Sequence, residues 1–436
     1  MPHKNLNLRI STLSAAATAV LIILIGAMLS RFLFVEWKTF TATQEGLWAT
    51  EVAYKGMIAA EKASFERGPA NGVLGDDDHS DPTKQARLNN ARQATNQALQ
   101  QFMVAIHGGS CATDCQMAQD LRKVLEQLDT ARKVVDQVSS LPRKQRSADL
   151  VTEAVNQMFL VIPGLLHLTS ELSRVAIDID PGVEPAFFGA MYALELRDYA
   201  GRLGSQFTAA LTEQKPLTLV EQQNINILRG RISQLHDLIH VHTKQWETQP
   251  LQTNAFSAME KDYFGKGLGF VEFVEATSRE ERPYGINTAE FAARYVPYMQ
   301  SIVQLRDAMM HSALNFARAR HAAALKSLIV VALIGTATLV LVAILFLFIR
   351  WRVISPLLKV KNAILEIAHG NLLTKLPDSK REDEIAEIQR AVAVLQASTI
   401  DKQRLEVERQ RIIESIPGIF YVFDSAGRFL MWNRNF

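Results

Sequence analysis

The chain holds 436 residues, 48% of them hydrophobic and 21% charged, with a formal charge of +2 and two cysteines. Length alone predicts roughly three domains. The near-neutral balance excludes a chain-wide nucleic-acid footprint, which needs basic residues in excess, and two cysteines exclude a zinc-finger array or a disulfide scaffold.

Apolar residues concentrate in two uncharged stretches, Ile10 to Ser30 between Arg9 and Arg31, and Ser327 to Ile349 between Lys326 and Arg350. As helices rising 1.5 Å per residue, each crosses a hydrocarbon layer of about 30 Å. The first reads as an uncleaved anchor, because its apolar run outlasts the roughly 7–15 residues of a signal peptide and no cleavage site follows. Basic residues set the orientation. Lys4 and Arg9 have no acid beside them, and Arg350, Arg352, Lys359 and Lys361 precede the first acid, Glu366. The expected layout is therefore a cytoplasmic tail (1–9), a first membrane helix (10–35), a periplasmic segment (36–326) and a second membrane helix (327–349) in a bacterial inner membrane. The lipid bilayer is the first expected partner.

The periplasmic segment carries helical periodicity, as in Leu121, Val124, Leu125, Leu128 and Ala131, whose steps of three and four share one helix face. Breakers at Gly75 to Pro82, His107 to Ser110, Leu141-Pro142, Asp178 to Pro185, Lys215-Pro216, Gln249-Pro250 and Arg282 to Gly285 divide it into about eight helices. A break at Pro181-Gly182 near its middle predicts a double four-helix bundle with halves 36–180 and 185–326. The stretch from Pro142 through Ser147-Ala148-Asp149-Leu150 to Met158 repeats in spacing from Pro283 through Thr288-Ala289-Glu290-Phe291 to Met299. In both copies a hydroxyl before an acid suits a helix amino-terminal cap.

Cys111 and Cys115 lie at a loop-to-helix entry where a disulfide is reachable, with free thiols as the other reading and a metal site disfavoured for want of a fourth ligand. Asp76-Asp77-Asp78-His79 with Asp81 has calcium-loop composition but no bidentate acid at the required spacing, and reads as a solvated turn. No metal and no cofactor is expected.

Two stretches could hold a small anion: Glu61 to Gly72, with Arg67 and Asn71, and Glu195 to Phe207, with Arg197, Arg202 and Gln206. Each sets arginine beside glycine and an amide, which combines a planar donor fork with close backbone approach. These motifs resemble the nitrate- and nitrite-sensing domain family, a helical double bundle of receptors in which an Arg-Gly stretch near the first helix belongs to the anion pocket. Pro69 stands where that family usually has leucine. The resemblance implies a small periplasmic ligand. In the alternative reading, Arg67 pairs with a local acid, Gly68-Pro69 ends a helix, and Gly201 and Gly204 serve helix packing.

After the second span, Val353, Leu357, Val360, Ile364 and Ile367 step by four and three, and Ile385, Ile388, Val392 and Leu395 by three and four. Between them lie Gly370, Asn371, Leu372, Leu376 and Pro377, too many breakers for one continuous helix. Two short helices cannot bury both seams alone, so a homodimer forming a parallel four-helix bundle is expected. Pro356-Leu357, Gly370-Asn371-Leu372 and Asp383-Glu384-Ile385 make residues 350–400 similar to a HAMP linker, the relay module of bacterial receptors. That resemblance assigns signal relay to Pro356, Leu357, Val360, Ile364, Ile367, Gly370, Leu372, Glu384, Ile385, Ile388, Val392 and Leu395. The spacing from Leu395 to Leu405 breaks the heptad and predicts a module junction before a signalling helix (401–418).

Ile419 to Phe423 and Phe429 to Trp432 flank Asp424-Ser425-Ala426-Gly427, a hairpin signal. The segment 419–436 resembles the opening of an α/β PAS domain, and the chain is expected to be a fragment whose output lies beyond Phe436. No catalytic motif is present; His321 and His369 read as helix-end histidines. The expected whole is an all-α membrane receptor with a truncated PAS start. Its missing output would be a diguanylate cyclase, phosphodiesterase or histidine kinase. The alternative is a membrane-anchored scaffold whose bundle binds a partner protein.

Overall fold

The computed structural model describes residues 10–75, 81–109, 116–242, 249–376 and 382–436. The tail 1–9, the Asp76–His79 turn, both cysteines and Pro377 lie outside them. The chain divides into two compact units, Phe34–Ile329 and the combination of Met1–Leu33 with Val330–Phe436.

The larger unit is helical. It takes the later part of α1 (Ile10–Leu74), then α2 (Pro82–His107), α3 (Gln116–Ser140), α4 (Ala148–Ile179), α5 (Glu184–Ser205), α6 (Thr208–Glu213), α7 (Leu219–His242), α8 (Pro250–Met259), α9 (Leu268–Arg279), α10 (Thr288–Tyr295) and the earlier part of α11 (Gln300–Ile349). Many of the described helix ends fall at or near the breakers, but those at Ser205, Met259 and Tyr295 do not. The short α6 and a π-helical turn at Glu260–Gly267 carried no sequence signal. One buried apolar cluster runs through both halves, from Ala49 and Met57 in α1 to Leu305 and Met309 in α11.

Polar contacts lock the bundle. Glu66 of α1, fully buried, accepts two hydrogen bonds from Arg132 of α3 at 2.7 and 2.6 Å. Arg146 donates to the carbonyls of Val73 and Leu74 at 3.1 and 3.2 Å, satisfying acceptors that a helix end leaves open. Pro69 sits inside α1 and does not end it. Asp81 caps α2, accepting from the Thr83 amide at 2.8 Å.

The two halves of the proposed repeat begin their helices differently. Ser147 caps α4, accepting from the Leu150 amide at 3.3 Å. Thr288 is instead the first residue of α10, and Asn287 is the cap, bonding reciprocally with Glu290. Asparagine caps a helix as well as serine does, so the cap moved one place and the threonine hydroxyl instead hydrogen-bonds with that of Thr212 at 3.1 Å. His321 is likewise no helix-end residue. It lies within α11, 3.4 Å from the Thr43 hydroxyl and stacked on Phe40.

Three described helices are long and apolar enough to cross a membrane: Ala16–Leu74, Asp149–Ile179 and Thr288–Ala368. In the second, 44% of the most apolar window is buried, against 0% and 6% in the others. Thus α4 spends its apolar residues on the bundle core, whereas the other two leave theirs uncovered by protein.

In the smaller unit, a π-helical turn at Arg350–Ile354 leads into α12 (Ser355–Ala368). Pro356, near the start of α12, has no N–H to donate, and the Ser355 amide bonds five residues back to Arg350. After α12, Gly370 turns the chain with φ +93°, a conformation that glycine adopts without a Cβ penalty. Asp383 then caps α13 (Glu384–Ser415), accepting from the Ala386 amide. The expected junction between Leu395 and Leu405 falls inside this continuous helix. An antiparallel hairpin of β1 (Tyr421–Phe423) and β2 (Phe429–Trp432) follows.

Candidate functional site

A cavity of about 320 Å³ lies in the larger unit, between α1, α2, α5 and the segment 288–299. Its charged lining is Arg67, Lys84, Arg87 and Arg197, and among the described lining residues there is no carboxylate. Hydroxyls of Ser64, Ser205, Thr208, Thr288 and Tyr295 and the amide of Asn71 add polar groups.

Arg67 is held from several sides. Its Nη2 lies 2.7 Å from Asp198 Oδ1 and donates to Ser64 Oγ at 2.7 Å. Its Nε donates to the Ser64 carbonyl at 3.2 Å, and its guanidinium stacks on Phe159 at 4.8 Å. Burial pushes its pKa down to about 10, while Asp198 opposes the fall, so the cation persists at neutral pH. Asp198 also accepts from Arg202 Nε at 2.7 Å. Burial raises the Asp198 carboxyl, but Arg67 and Arg202 outweigh it and leave the pKa below the ordinary carboxylate value.

Arg197 is 5% exposed. Burial lowers its pKa, with Glu61 opposing. The Nη1 atoms of both Arg67 and Arg197 are buried and have no hydrogen-bond partner. A buried, unsatisfied donor costs about 1–3 kcal/mol, more when charged, so two in one cavity form a site that favours acceptor oxygens. Gly201 makes this convergence possible. A Cβ there would sit 3.0 Å from Arg197 Nη1 and 3.0 Å from Arg67 Nη2.

Of the residues singled out in the sequence, Arg67, Asn71 and Arg197 line this cavity, while Arg202 and Gln206 do not. Arg202 is engaged by Asp198 one helical turn before it and stacks on Phe159 at 4.7 Å. Gln206 Oε1 accepts from Asn224 at 3.3 Å. Asn71 donates to Ser205 at 3.1 Å. Asp198 and Ser64 lay within the quoted motifs at helical spacing from the arginines, a signal that could have found them. Lys84 and Arg87 on α2 carried none.

The relay residues lie in the smaller unit. Val360, Ile367 and Val392 form one buried cluster, with Leu372 and Leu376 packed against it, and Ile385 is also buried. Gln396 fastens the connector by donating to the carbonyls of Leu372 and Thr374 at 2.8 and 2.9 Å. Leu357, Ile364, Ile388 and Leu395 are 36–58% exposed, and Glu384 opens α13. His369 ends α12, its ring 2.6 Å from the Leu365 carbonyl.

The family model described as nitrate and nitrite sensing matches residues 64–260, which contain Arg67, Asn71 and the whole of the second arginine stretch, and the HAMP domain model matches 348–400. The chain thus carries a stretch similar to a nitrate- and nitrite-sensing domain ahead of one similar to a HAMP domain. Segment 288–299, which supplies one wall of the cavity, lies beyond the matched part of the sensing domain. No curated protein sequence matches the chain. A solved structure, that of the NasR transcription antiterminator, is similar at 15% identity with a TM-score of 0.48, over 86% of this chain and 99% of that one.

Proposed function

We propose that the chain is the sensing and transmitting part of a dimeric inner-membrane receptor that takes a small periplasmic anion of the nitrate and nitrite kind between Arg67 and Arg197. The observation that supports this reading is a pair of buried, unpartnered guanidinium nitrogens on two arginines that line one cavity, with no carboxylate among its described lining residues. An oxyanion would accept one charge-assisted hydrogen bond from the open Nη1 of each arginine, and Asp198 offsets part of the positive charge beside the site. The uncovered apolar helices at either end of the larger unit would anchor it in the bilayer, with both chain ends in the cytoplasm by the placement of basic residues.

Anion-dependent repacking would bias the HAMP helices between two arrangements of their seams. A second copy would cover Leu357, Ile364, Ile388 and Leu395. The hairpin at 421–432 would open a PAS module leading to a cyclase, phosphodiesterase or histidine kinase output. Titration of the full chain in lipid nanodiscs with nitrate and nitrite tests the site: saturable binding is expected, and Arg197→Ala removes it. Saturable binding that survives Arg197→Ala would place the anion elsewhere.

A further inference from the structure

The cavity is far larger than a four-atom oxyanion requires. One water needs about 10–15 Å³ measured in this way, whereas 320 Å³ sits at the lower end of the roughly 300–1,000 Å³ of sites for drug-sized molecules. The two kinds of lining also have different origins. Arg67 and Arg197 come from the stretch matched to nitrate and nitrite sensing, while Phe291, Ala292, Val296 and Met299, together with Phe65, make an apolar wall. All of that wall except Phe65 comes from the segment beyond the match. Phe291 and Met299 are largely covered already, but a bare oxyanion would leave the part of the wall at Phe65, Ala292 and Val296 facing water, and covering apolar surface is worth about 0.8 kcal/mol per buried methylene.

We infer that the physiological ligand is an organic monocarboxylate, its two oxygens on the open Nη1 atoms of Arg67 and Arg197 and its hydrocarbon body against the wall from segment 288–299. This rests on the anion-site reading above and replaces its inorganic oxyanion with an organic one. A carboxylate carries two acceptor oxygens in one plane, one for each Nη1, and the alanines at 289, 292 and 293 leave the room that a body attached to that plane would fill.

Calorimetry on the full chain in nanodiscs with nitrate, formate, acetate, butyrate, hexanoate, benzoate and hexanol tests it. Affinity should rise about fourfold per added methylene until the wall is covered, the ratio given by the burial energy of one methylene. Ala292→Phe, checked for an unchanged urea midpoint, should weaken hexanoate at least about tenfold while leaving formate unchanged, because it occupies space that some two methylenes would fill. If nitrate and formate bind as tightly as hexanoate, the anion site stands and the organic-ligand inference is overturned. If no anion binds, or hexanol binds as well as hexanoate, the anion-site reading itself fails. The chain-length series on the unmodified protein decides the matter even if Ala292→Phe does not fold.

Discussion

The helical bundle of residues 34–329 and the helices of the HAMP-like region answer the same problem differently. In the bundle, a helix such as α3 buries its whole seam of Leu121, Val124, Leu128, Ala131 and Val135 against its own chain. In HAMP, the seams split: Val360, Ile367, Ile385 and Val392 are buried, while Leu357, Ile364, Ile388 and Leu395 remain open. One region is complete within one chain; the other presents an apolar edge that needs covering. The polar content follows the same division. The bundle can afford a buried cluster of arginines because many helices hold it, whereas the HAMP helices bury almost only hydrocarbon.

The comparison can be broken most severely at Asp198. Asp198→Ala leaves Arg67 and Arg202 without their shared carboxylate, and removing one partner of a buried ion pair costs about 3–5 kcal/mol, so the urea midpoint of the bundle should drop sharply. A midpoint close to that of the unmodified protein would show that the cluster is not held as described. Next in size is the HAMP edge. Ile388→Asp combined with Leu395→Asp should convert a dimer in detergent to monomer by analytical ultracentrifugation, with an anion affinity that does not change. A dimer that survives would move the contact elsewhere. Arg197→Met should act with opposite signs on the two properties of the bundle: it abolishes anion binding yet raises ligand-free stability by about 1 kcal/mol, because it removes a buried donor without a partner. Chemical denaturation in nitrate-free buffer reads the second effect.

The smallest effect concerns pH. Arg67 is a cation below its pKa of about 10, and an anion binds only the charged form. Affinity should therefore be flat at neutral pH and fall as pH rises through about 10, as calorimetry at successive pH values would record. A fall beginning near pH 7 would implicate a different group.

Much of the layout was legible because it rests on local rules. Proline, glycine and capping residues mark helix ends in the chain itself, and the heptads of residues 353–395 expose two short helices by periodicity alone. Arg67 could be picked out because it adjoins Gly68, and Asn71 and Arg197 came with the same two stretches, whereas in the second stretch the arginine beside glycine is Arg202, which does not line the cavity. Which arginine faces the cavity was not legible. Arg197 and Arg202 look equivalent in sequence, but Asp198 sits one turn before Arg202 and captures it, whereas Arg197 points into space that α1 and segment 288–299 enclose. Lys84, Arg87 and Thr288 reach the site only through tertiary packing. The apolar character of α4 was ambiguous for the same reason: its composition satisfies the length and hydropathy of a span, and only its neighbours decide that it is a core helix.

The wide turn at Arg350–Ile354 has one more consequence. A π turn accommodates one residue beyond what an α-helix would use, so the entry to α12 holds spare backbone. Deleting a single residue there would let the turn tighten into regular α geometry while leaving both flanking helices intact. The same place thus offers a mechanical dial, by which a receptor of this build could be set to one signalling posture by a change of length instead of a change of side chain.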